Sequence, residues 1–303
     1  MFAKALVPTD FSPAADRLLD CLDEISALGC KEVVLLHVTD VRQSHNLLGF
    51  DLTYLDRHNE LARAELERRR QKVESLGLTC RSFQVDDVPD HGIVETAKKE
   101  QCGVIVIGSH GRTSLSGVLL GSTSEKVVRQ SPVPVLLVKH RVVEEMGRQV
   151  CDFAFARMVR KALVPTDFST AAERTLDLVR GLRGAGLEEI VLLHVQDVRK
   201  LRPHLSERMD EFNRVDAQRL DALRADLKLL GFSVRTRLAE GVPSEEILRV
   251  ADEEDAGFIV MGTHGRSAVA EILLGSVSTE VIQRSRQPIL VVRSPLEPSH
   301  ADR

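Results

Sequence analysis

The sequence predicts two tandem α/β domains, each built on a doubly wound, five-stranded parallel sheet. Three observations support this fold class. The stretch Lys4–Ser12 recurs unchanged as Lys161–Ser169, so the chain contains an internal duplication. Each copy alternates short apolar runs with longer amphipathic stretches, the pattern of strands joined by helices in a sheet covered on both faces. The length of 303 residues suits two domains of roughly 100–200 residues each.

Further segments repeat in the same order. Val34–Arg42 returns as Val191–Arg199 with one residue changed, and Gly108–Arg112 returns as Gly262–Arg266 with one residue changed. Repetition over this length indicates a duplicated domain rather than a short solenoid unit.

The repeat sets the expected domain limits. We expect the first domain at residues 1–140 and the second at residues 159–296. Apolar residues recur at helical spacing within residues 141–158, which predicts a helical inter-domain linker. The polar residues 297–303 are expected to form a flexible tail.

The elements of the first copy follow from local signals. Ala3–Val7 is a short apolar strand that Pro8 ends. Ser12 followed by Pro13 is an N-cap with proline at the first helical position, and Gly29 ends this helix. The remaining elements follow in chain order: strand Val33–Val38, a helix over residues 56–76, strand Thr79–Val85, helix Ile93–Lys99, strand Val104–Ile107, helix Ser122–Arg129 and strand Val135–Val138.

The second copy repeats this series. Its predicted strands are Ala162–Val164, Glu189–Val195, Ser233–Leu238, Phe258–Met261 and Ile289–Val292. A doubly wound sheet places its ligand crevice at the carboxyl ends of the strands, so chemistry is expected there in both copies.

Composition excludes several classes of function. The 41 basic and 45 acidic residues are interspersed, which argues against a nucleic-acid-binding or membrane-surface protein. With no Trp and one Tyr, an aromatic platform for single strands is not expected. No apolar run approaches the ~20 residues of a membrane span. Five cysteines without a C-x-x-C pair, and no secretory signal, indicate reduced thiols and a cytoplasmic location.

The chemistry concentrates in a glycine pattern after the fourth strand of each copy. Gly108 and Gly111 are followed, after nine residues, by Gly121 and Ser122, and the second copy repeats this spacing from Gly262. Glycines at a strand end let backbone N–H groups approach an anion closely. A Gly-Ser pair at a helix start adds free N–H donors and the positive end of the helix dipole. The doubled pattern therefore predicts phosphate binding, although a single G-x-x-G would more simply be a tight turn.

The pattern G-x-x-G-x9-G-[ST], with VPTDFS after the first strand and SPVPVLLV at the last, resembles the ATP-binding type of the universal stress protein family. The resemblance covers nearly all of both copies and leaves out the linker and the tail. It implies a flavodoxin-like universal stress protein fold in each domain.

The resemblance also implies a set of site residues. Asp10 and Asp167 would contact the ribose–adenine end of ATP, and the backbone of Val38 and Val195 would contact adenine. The neighbouring residues of the first strand ends are Pro8, Thr9, Pro165 and Thr166. The phosphates of ATP would also carry Mg²⁺. The residues that the resemblance implies at the phosphates are Gly108, His110, Gly111, Arg112, Gly121, Ser122, Thr123 and Ser124 in the first domain, and Gly262, His264, Gly265, Arg266, Gly275, Ser276, Val277 and Ser278 in the second.

The function implied is that of a nucleotide-dependent stress-response regulator or partner-binding protein, with ATP in one or both crevices. The family resemblance further implies an intramolecular pseudo-dimer of the two domains, a homodimer of chains and an unidentified regulatory protein partner. Two alternatives stay open: a slow ATPase or phosphotransferase, and a nucleotide-free scaffold or chaperone-like module. No catalytic residue and no protein-held metal site is predicted.

Some residues allow two interpretations. His37 and His194, at matching positions inside apolar strands, are either buried structural histidines or lining of the adenine pocket. The run Arg68–Arg70 is interpreted as the solvated face of a helix. Two positions depart between the copies, since Thr123 corresponds to Val277 and Asp87 to Gly241. Both sites are nevertheless expected to be competent.

Overall fold

The computed structural model describes residues 2–20, 22–44, 52–109, 120–139, 141–145, 148–152, 159–199, 209–263 and 274–293. The chain divides into two compact units, residues 1–156 and 157–303. None of the helices in the described ranges is long and apolar enough to span a bilayer.

The first unit alternates strands and helices. In chain order its elements are β1 (Lys4–Pro8), α1 (Pro13–Asp20), α2 (Leu22–Ala27), β2 (Glu32–Asp40), α3 (Val41–Ser44), α4 (Leu52–Ser75), β3 (Thr79–Asp87), α5 (Pro89–Lys99), β4 (Val104–Gly108), α6 (Ser122–Gln130), β5 (Val135–Val138), β6 (Arg141–Glu145) and β7 (Arg148–Asp152).

A parallel sheet forms the centre of this unit, with strand order β5-β4-β1-β2-β3. The interior positions of β1, β4 and β5 are buried Val, Ile, Leu and Ala, which is typical of strands covered on both faces. The order reverses between β1 and β4, so a crevice opens where the carboxyl ends of these two strands diverge. The predicted five-stranded, doubly wound sheet is confirmed.

The second unit repeats this architecture. Its elements are β8 (Lys161–Pro165), α7 (Thr170–Gly181), β9 (Glu189–Asp197), α8 (Met209–Leu229), β10 (Ser233–Gly241), α9 (Pro243–Glu253), β11 (Phe258–Gly262), α10 (Ser276–Arg284) and β12 (Ile289–Val292). Its parallel strands lie in the order β12-β11-β8-β9-β10, so the reversal falls between β8 and β11.

Helices cover the first unit's sheet in two pairs. The helices α1 and α4 contact each other, as do α5 and α6. Right-handed crossovers explain this division, because connections running toward β3 and connections running back toward β5 fall on opposite faces. The result leaves the carboxyl ends of β1, β2 and β4 at the edge where α6 begins.

Residues 141–158 depart from expectation. Where the structure describes this segment it forms no helix, because β6 and β7 pair as antiparallel strands with Val142 opposite Cys151 and Val143 opposite Val150. β-branched valines favour extended backbone, and this preference outweighs the helical spacing of the apolar residues. The helical linker prediction is therefore wrong for these ten residues. The expected tail, 297–303, lies outside the described residues.

Candidate functional site

A tight turn follows β1 and is held by its own side chains. Thr9 Oγ1 accepts a hydrogen bond from the backbone N–H of Phe11 at 3.1 Å, which leaves Phe11 in the left-handed region at φ 61°. Asp10 Oδ1 accepts one from the N–H of Ser12 at 3.0 Å. Ser12 Oγ then accepts the N–H of Ala15 at 3.2 Å and caps α1. One carboxylate oxygen of Asp10 is thus engaged in shaping the turn.

The turn after β8 has the same construction. Thr166 Oγ1 accepts the N–H of Phe168 at 3.1 Å, and Phe168 has φ 59°. Asp167 Oδ1 accepts the N–H of Ser169 at 3.0 Å. Ser169 Oγ caps α7 by accepting the N–H of Ala172 at 3.2 Å. The repeated TDFS sequence therefore encodes the same backbone geometry twice.

The end of β4 is bonded directly to the start of α6. The hydroxyl of Ser124 is buried and donates to the carbonyl oxygen of Gly108 at 2.7 Å. The N–H of Gly121 donates to the carbonyl oxygen of Ser109 at 2.8 Å. Gly121 is the N-cap residue, and no described side chain caps this helix. The N-terminal turn of α6 is therefore fixed at the crevice edge, and the N–H groups of a first helical turn are suited to binding an anion.

The second unit repeats these bonds. Ser278 donates its hydroxyl to the carbonyl oxygen of Gly262 at 2.9 Å, and the N–H of Gly275 donates to the carbonyl oxygen of Thr263 at 2.9 Å. Gly275 likewise carries no side-chain cap among the described residues.

The end of β2 packs closely on α5. A Cβ atom at Gly92 would lie 3.1 Å from Val38 Cγ1, so the absence of a side chain there allows this approach. Two residues beyond Val38, Asp40 forms a two-point ion pair with Arg42, at 2.8 and 2.6 Å. Hydrogen bonding from Arg42 lowers the pKa of Asp40, so this carboxylate is ionised at neutral pH.

Two helix-bridging pairs lie beside the same edge and were not anticipated from the sequence. In the first unit Lys126 Nζ on α6 is 3.6 Å from Asp90 Oδ1 on α5. In the second, Ser244 on α9 donates its hydroxyl to Glu280 Oε2 on α10 at 2.7 Å. Aligning the helices that follow Gly121 and Gly275 matches Lys126 with Glu280. This change of charge between the two copies is the sequence signal that could have drawn attention to both residues.

The two strand histidines serve as structural anchors. His37 Nδ1 lies 2.9 Å from the carbonyl oxygen of Thr9, and His194 Nδ1 lies 2.7 Å from that of Thr166. Because a carbonyl oxygen only accepts, each Nδ1 carries the proton. His194 is 6% exposed, which supports the interpretation of a buried, satisfied ring.

The arginine run is only partly a solvated face. Arg68 and Arg70 are accessible, but Arg69 is 2% exposed and reaches Asp16 on α1. Successive helical residues lie about 100° apart, so three consecutive arginines cannot share one face. The interpretation of Arg69 as solvated is wrong.

The structure thus brings many predicted residues to one edge in each unit, at the carboxyl ends of the first, second and fourth strands and the helix start that follows. In the first unit these are Pro8, Thr9, Asp10, Val38, Gly108, Gly121, Ser122, Thr123 and Ser124. In the second they are Pro165, Thr166, Asp167, Val195, Gly262, Gly275, Ser276, Val277 and Ser278. Six predicted residues lie outside the described ranges: His110, Gly111, Arg112, His264, Gly265 and Arg266.

A separate cleft of about 540 Å³ lies between α4 and the edge strand β3. Alternate residues of β3 line it, Ser82, Gln84 and Asp86, opposite Asn59 and Arg63 of α4. It contains none of the predicted site residues.

Comparison with known proteins places this architecture in a family. The model of the universal stress protein family matches residues 1–139 and again residues 158–293. A universal stress protein of Methanocaldococcus jannaschii is 35% identical over 155 residues, which is 45% of this chain and 96% of that protein. One from Mycolicibacterium smegmatis is 26% identical over 296 residues, covering 95% of this chain and 96% of its own.

A solved structure gives the same result in three dimensions. The crystal structure of a universal stress protein from Archaeoglobus fulgidus covers 96% of this chain and 96% of its own, with a TM-score of 0.70 and 27% identity. The family model, the Mycolicibacterium smegmatis relative and the Archaeoglobus fulgidus structure extend over both copies described above. The chain therefore belongs to the universal stress protein family and carries two of its domains in tandem.

Proposed function

We propose that the chain binds ATP at the carboxyl edge of one or both sheets and acts as a nucleotide-dependent regulator in the stress response. The observation that carries the proposal is the joint between β4 and α6. Ser124 and Gly121 bond to Gly108 and Ser109, so a helix start that no described side chain caps is held at the point where the strand order reverses. Such a helix start is a ready anion site, and the reversal is where open α/β sheets bind ligands.

Each part of the edge suits one part of the nucleotide. The phosphates, with the Mg²⁺ that accompanies them, would lie against the N–H groups of Ser122, Thr123 and Ser124. The ribose would face Asp10, whose backbone is fixed by the turn after β1. Adenine would lie along the backbone at Val38. The corresponding edge of the second unit offers the same groups.

The regulatory role follows from what a bound nucleotide would do to this edge. A triphosphate at the start of α6 would lie beside the joint between β4 and α6, which the Ser124–Gly108 and Gly121–Ser109 bonds hold together. Occupancy would thereby alter the position of surface residues around the edge that a protein partner can read. A ligand shifts such an equilibrium only through its different affinity for the two states.

The test begins with the purified full chain. Denaturation followed by chromatography measures released ATP, ADP and AMP, and calorimetry with Mg-ATP measures binding. We expect retained ATP or micromolar affinity. Ser124→Ala with Ser278→Ala leaves two carbonyl oxygens without these partners, at about 1–2 kcal/mol each, and lowers affinity up to about tenfold. Ser75→Ala, which removes an exposed serine hydroxyl bond at the end of α4, is the matched control.

Two outcomes would contradict the proposal. Protein that neither retains nor binds adenine nucleotide overturns ATP binding and favours a nucleotide-free scaffold. Turnover above about 1 s⁻¹, abolished by substitution of Asp10 and Asp167, would make the chain an enzyme instead.

A further inference from the structure

The two crevice edges carry opposite charges at one pair of matched positions, Lys126 and Glu280. Lys126 lies in α6 directly after the helix start that bonds to β4, and Glu280 occupies the same place in α10. The substitution replaces a cation by an anion beside the helix start that would receive phosphate. The bond that joins the fourth strand to this helix is repeated, since Ser124–Gly108 corresponds to Ser278–Gly262.

In the first unit the cation is loosely held. Lys126 Nζ lies 3.6 Å from Asp90 Oδ1, and the lysine side chain is 47% exposed. Arg42, by hydrogen bonding, and then Lys126, by its charge, lower the pKa of Asp40 at the end of β2. The charge of Lys126 on α6 therefore acts on the carboxylate of Asp40 at the end of β2. A long, half-exposed lysine whose described ion-pair partner lies 3.6 Å away is able to turn toward a phosphate.

In the second unit the anion is held in place. Glu280 accepts the hydroxyl of Ser244 at 2.7 Å and the guanidinium of Arg284 at 2.7 Å. These two hydrogen bonds, Ser244 first, lower its pKa, so Glu280 is ionised at neutral pH. Its charge also acts on Arg199 after β9. The helix-bridging pair Asp90–Lys126 carries no net charge, whereas Ser244–Glu280 carries one negative charge, which Arg284 offsets in part.

The second residue after the N-cap glycine adds to the difference between the two sites. Thr123 offers a hydroxyl in the first turn of α6, and Val277 offers none in α10. Two differences run the other way: Glu125, which Arg129 offsets at 2.7 Å, corresponds to Thr279, and Asp87 of the first unit corresponds to Gly241. Asp87 is, however, paired with His91 at 2.7 Å, which offsets its charge whenever the imidazole is protonated.

We propose that the two sites differ in their affinity for phosphate groups. The first domain binds the triphosphate tightly, and the second binds nucleotides weakly. This inference rests on the proposed nucleotide binding. Reversal of one charge near a polyanion, partly screened by salt, changes affinity by about tenfold. The discrimination grows with the number of phosphates, because adenosine carries no charge for Lys126 or Glu280 to act on.

The experiment titrates the full chain with Mg-ATP, ADP, AMP and adenosine at fixed salt, by calorimetry and by equilibrium dialysis. The wild type is expected to show two classes of ATP site about tenfold apart. Lys126→Glu weakens the tight class for ATP about tenfold and for adenosine less than about twofold. Glu280→Lys strengthens the weak class by a similar factor. Lys98→Glu is the control, because Lys98 is 49% exposed, pairs with Glu95 and lies in the last turn of α5, away from the edge.

The outcomes separate the two proposals. Two equal ATP sites in the wild type, or a Lys126→Glu effect as large for adenosine as for ATP, overturn the inference while leaving nucleotide binding intact. No binding of any nucleotide overturns the proposed function, and the inference with it. Lys126→Gln, which removes the charge without reversing it, is expected to give an intermediate effect and guards against a folding defect in the reversal variant.

Discussion

The ring of Phe11 stacks on the imidazole of His37, with 4.1 Å between their centroids and 23° between their planes. The guanidinium carbon of Arg69 lies 4.7 Å from the centroid of the same phenyl ring. The second unit reproduces this cluster with Phe168 and His194, 4.5 Å apart. In each unit this cluster lies directly under the turn that carries Asp10 in the first unit and Asp167 in the second. It therefore stabilises the strained backbone of that turn.

The cation in this cluster comes from different places in the two copies. Arg219 lies 5.4 Å from the ring of Phe168, yet its helix position corresponds to that of Glu65, one turn before Arg69. The arrangement of a guanidinium over the ring is therefore kept while the position that supplies it has changed. A cation over an aromatic face is worth about 0.5–2 kcal/mol, depending on how far it is desolvated.

The ion pair behind this cluster gives a first prediction. Arg69 is 2% exposed and bonds Asp16 at 2.5 and 3.0 Å, as well as Glu65. Removing one partner of a buried pair leaves charge uncompensated, so Asp16→Ala is expected to cost about 2–3 kcal/mol, with Glu65 limiting the loss. Hydrogen exchange of α1 and α4 in the full chain measures it.

The second copy supplies the control. Glu173 matches Asp16 but pairs with Arg180 at the surface, where its side chain is 51% exposed. Exposed pairs are worth little, so Glu173→Ala is expected to change stability by less than about 1 kcal/mol. Equal losses for the two variants would contradict the buried-pair account.

Sequence reasoning succeeded where the same signal occurred twice. Short apolar runs ended by turn residues identified all five strands of each sheet, and the repeated TDFS and Gly-Ser segments identified the residues that now lie at one edge. It failed where a tertiary partner decided the outcome. Nothing local to Arg68–Arg70 reveals that Asp16 faces the middle arginine. Likewise, Lys126 and Glu280 gained meaning only once α5 and α9 were seen beside them.

Gly92 gives a second prediction, about close packing at the end of β2. A methyl group there would lie 3.1 Å from Val38 Cγ1 and 3.2 Å from Asp87 Cβ, so Val38 must shift. Overpacking costs about 1–3 kcal/mol, while alanine gains up to about 1 kcal/mol in helix propensity. We expect Gly92→Ala to destabilise β2 and α5 by about 1 kcal/mol and to weaken nucleotide binding in the first domain.

The matching residue in α9 already carries a side chain. Glu246→Ala retains the Cβ atom, so hydrogen exchange of β9 and α9 should change little. If Gly92→Ala instead raised the hydrogen-exchange protection of β2 and α5, the close contact with Val38 would not be destabilising.

His91 provides a third prediction, about pH. Hydrogen bonding and charge from Asp87, 2.7 Å away, raise the pKa of His91 above its ordinary 6.5. A raised pKa in the folded state means that the pair stabilises fully below the unfolded pKa of His91, and that this contribution is lost as pH rises through the folded pKa. The pKa of Asp87 is lowered by the same bond, so its share is lost as pH falls through that lowered value.

The shift is measurable without unfolding the protein. Titration of the His91 ring by NMR is expected to give a pKa above 6.5 in the wild type and a return toward that value in Asp87→Asn. An unchanged His91 pKa in the variant would show that the carboxylate is not its partner in solution.

The buried thiols give the last prediction. Desolvation raises the pKa of Cys80 and of Cys102 to about 11, and burial also raises that of Cys30. Because the thiolate is the reactive form, all three should label slowly at pH 8 in native protein and rapidly after denaturation, as mass spectrometry of each peptide would show. Their pKa values in the folded state exceed the ordinary 9.0. The contribution of these buried thiols to the free energy of unfolding is therefore fully present below pH 9 and is lost as pH rises toward 11. Fast native labelling of Cys80 or Cys102 would mean that β3 or the start of β4 opens far more readily than its buried packing indicates, since both thiols are at most 5% exposed.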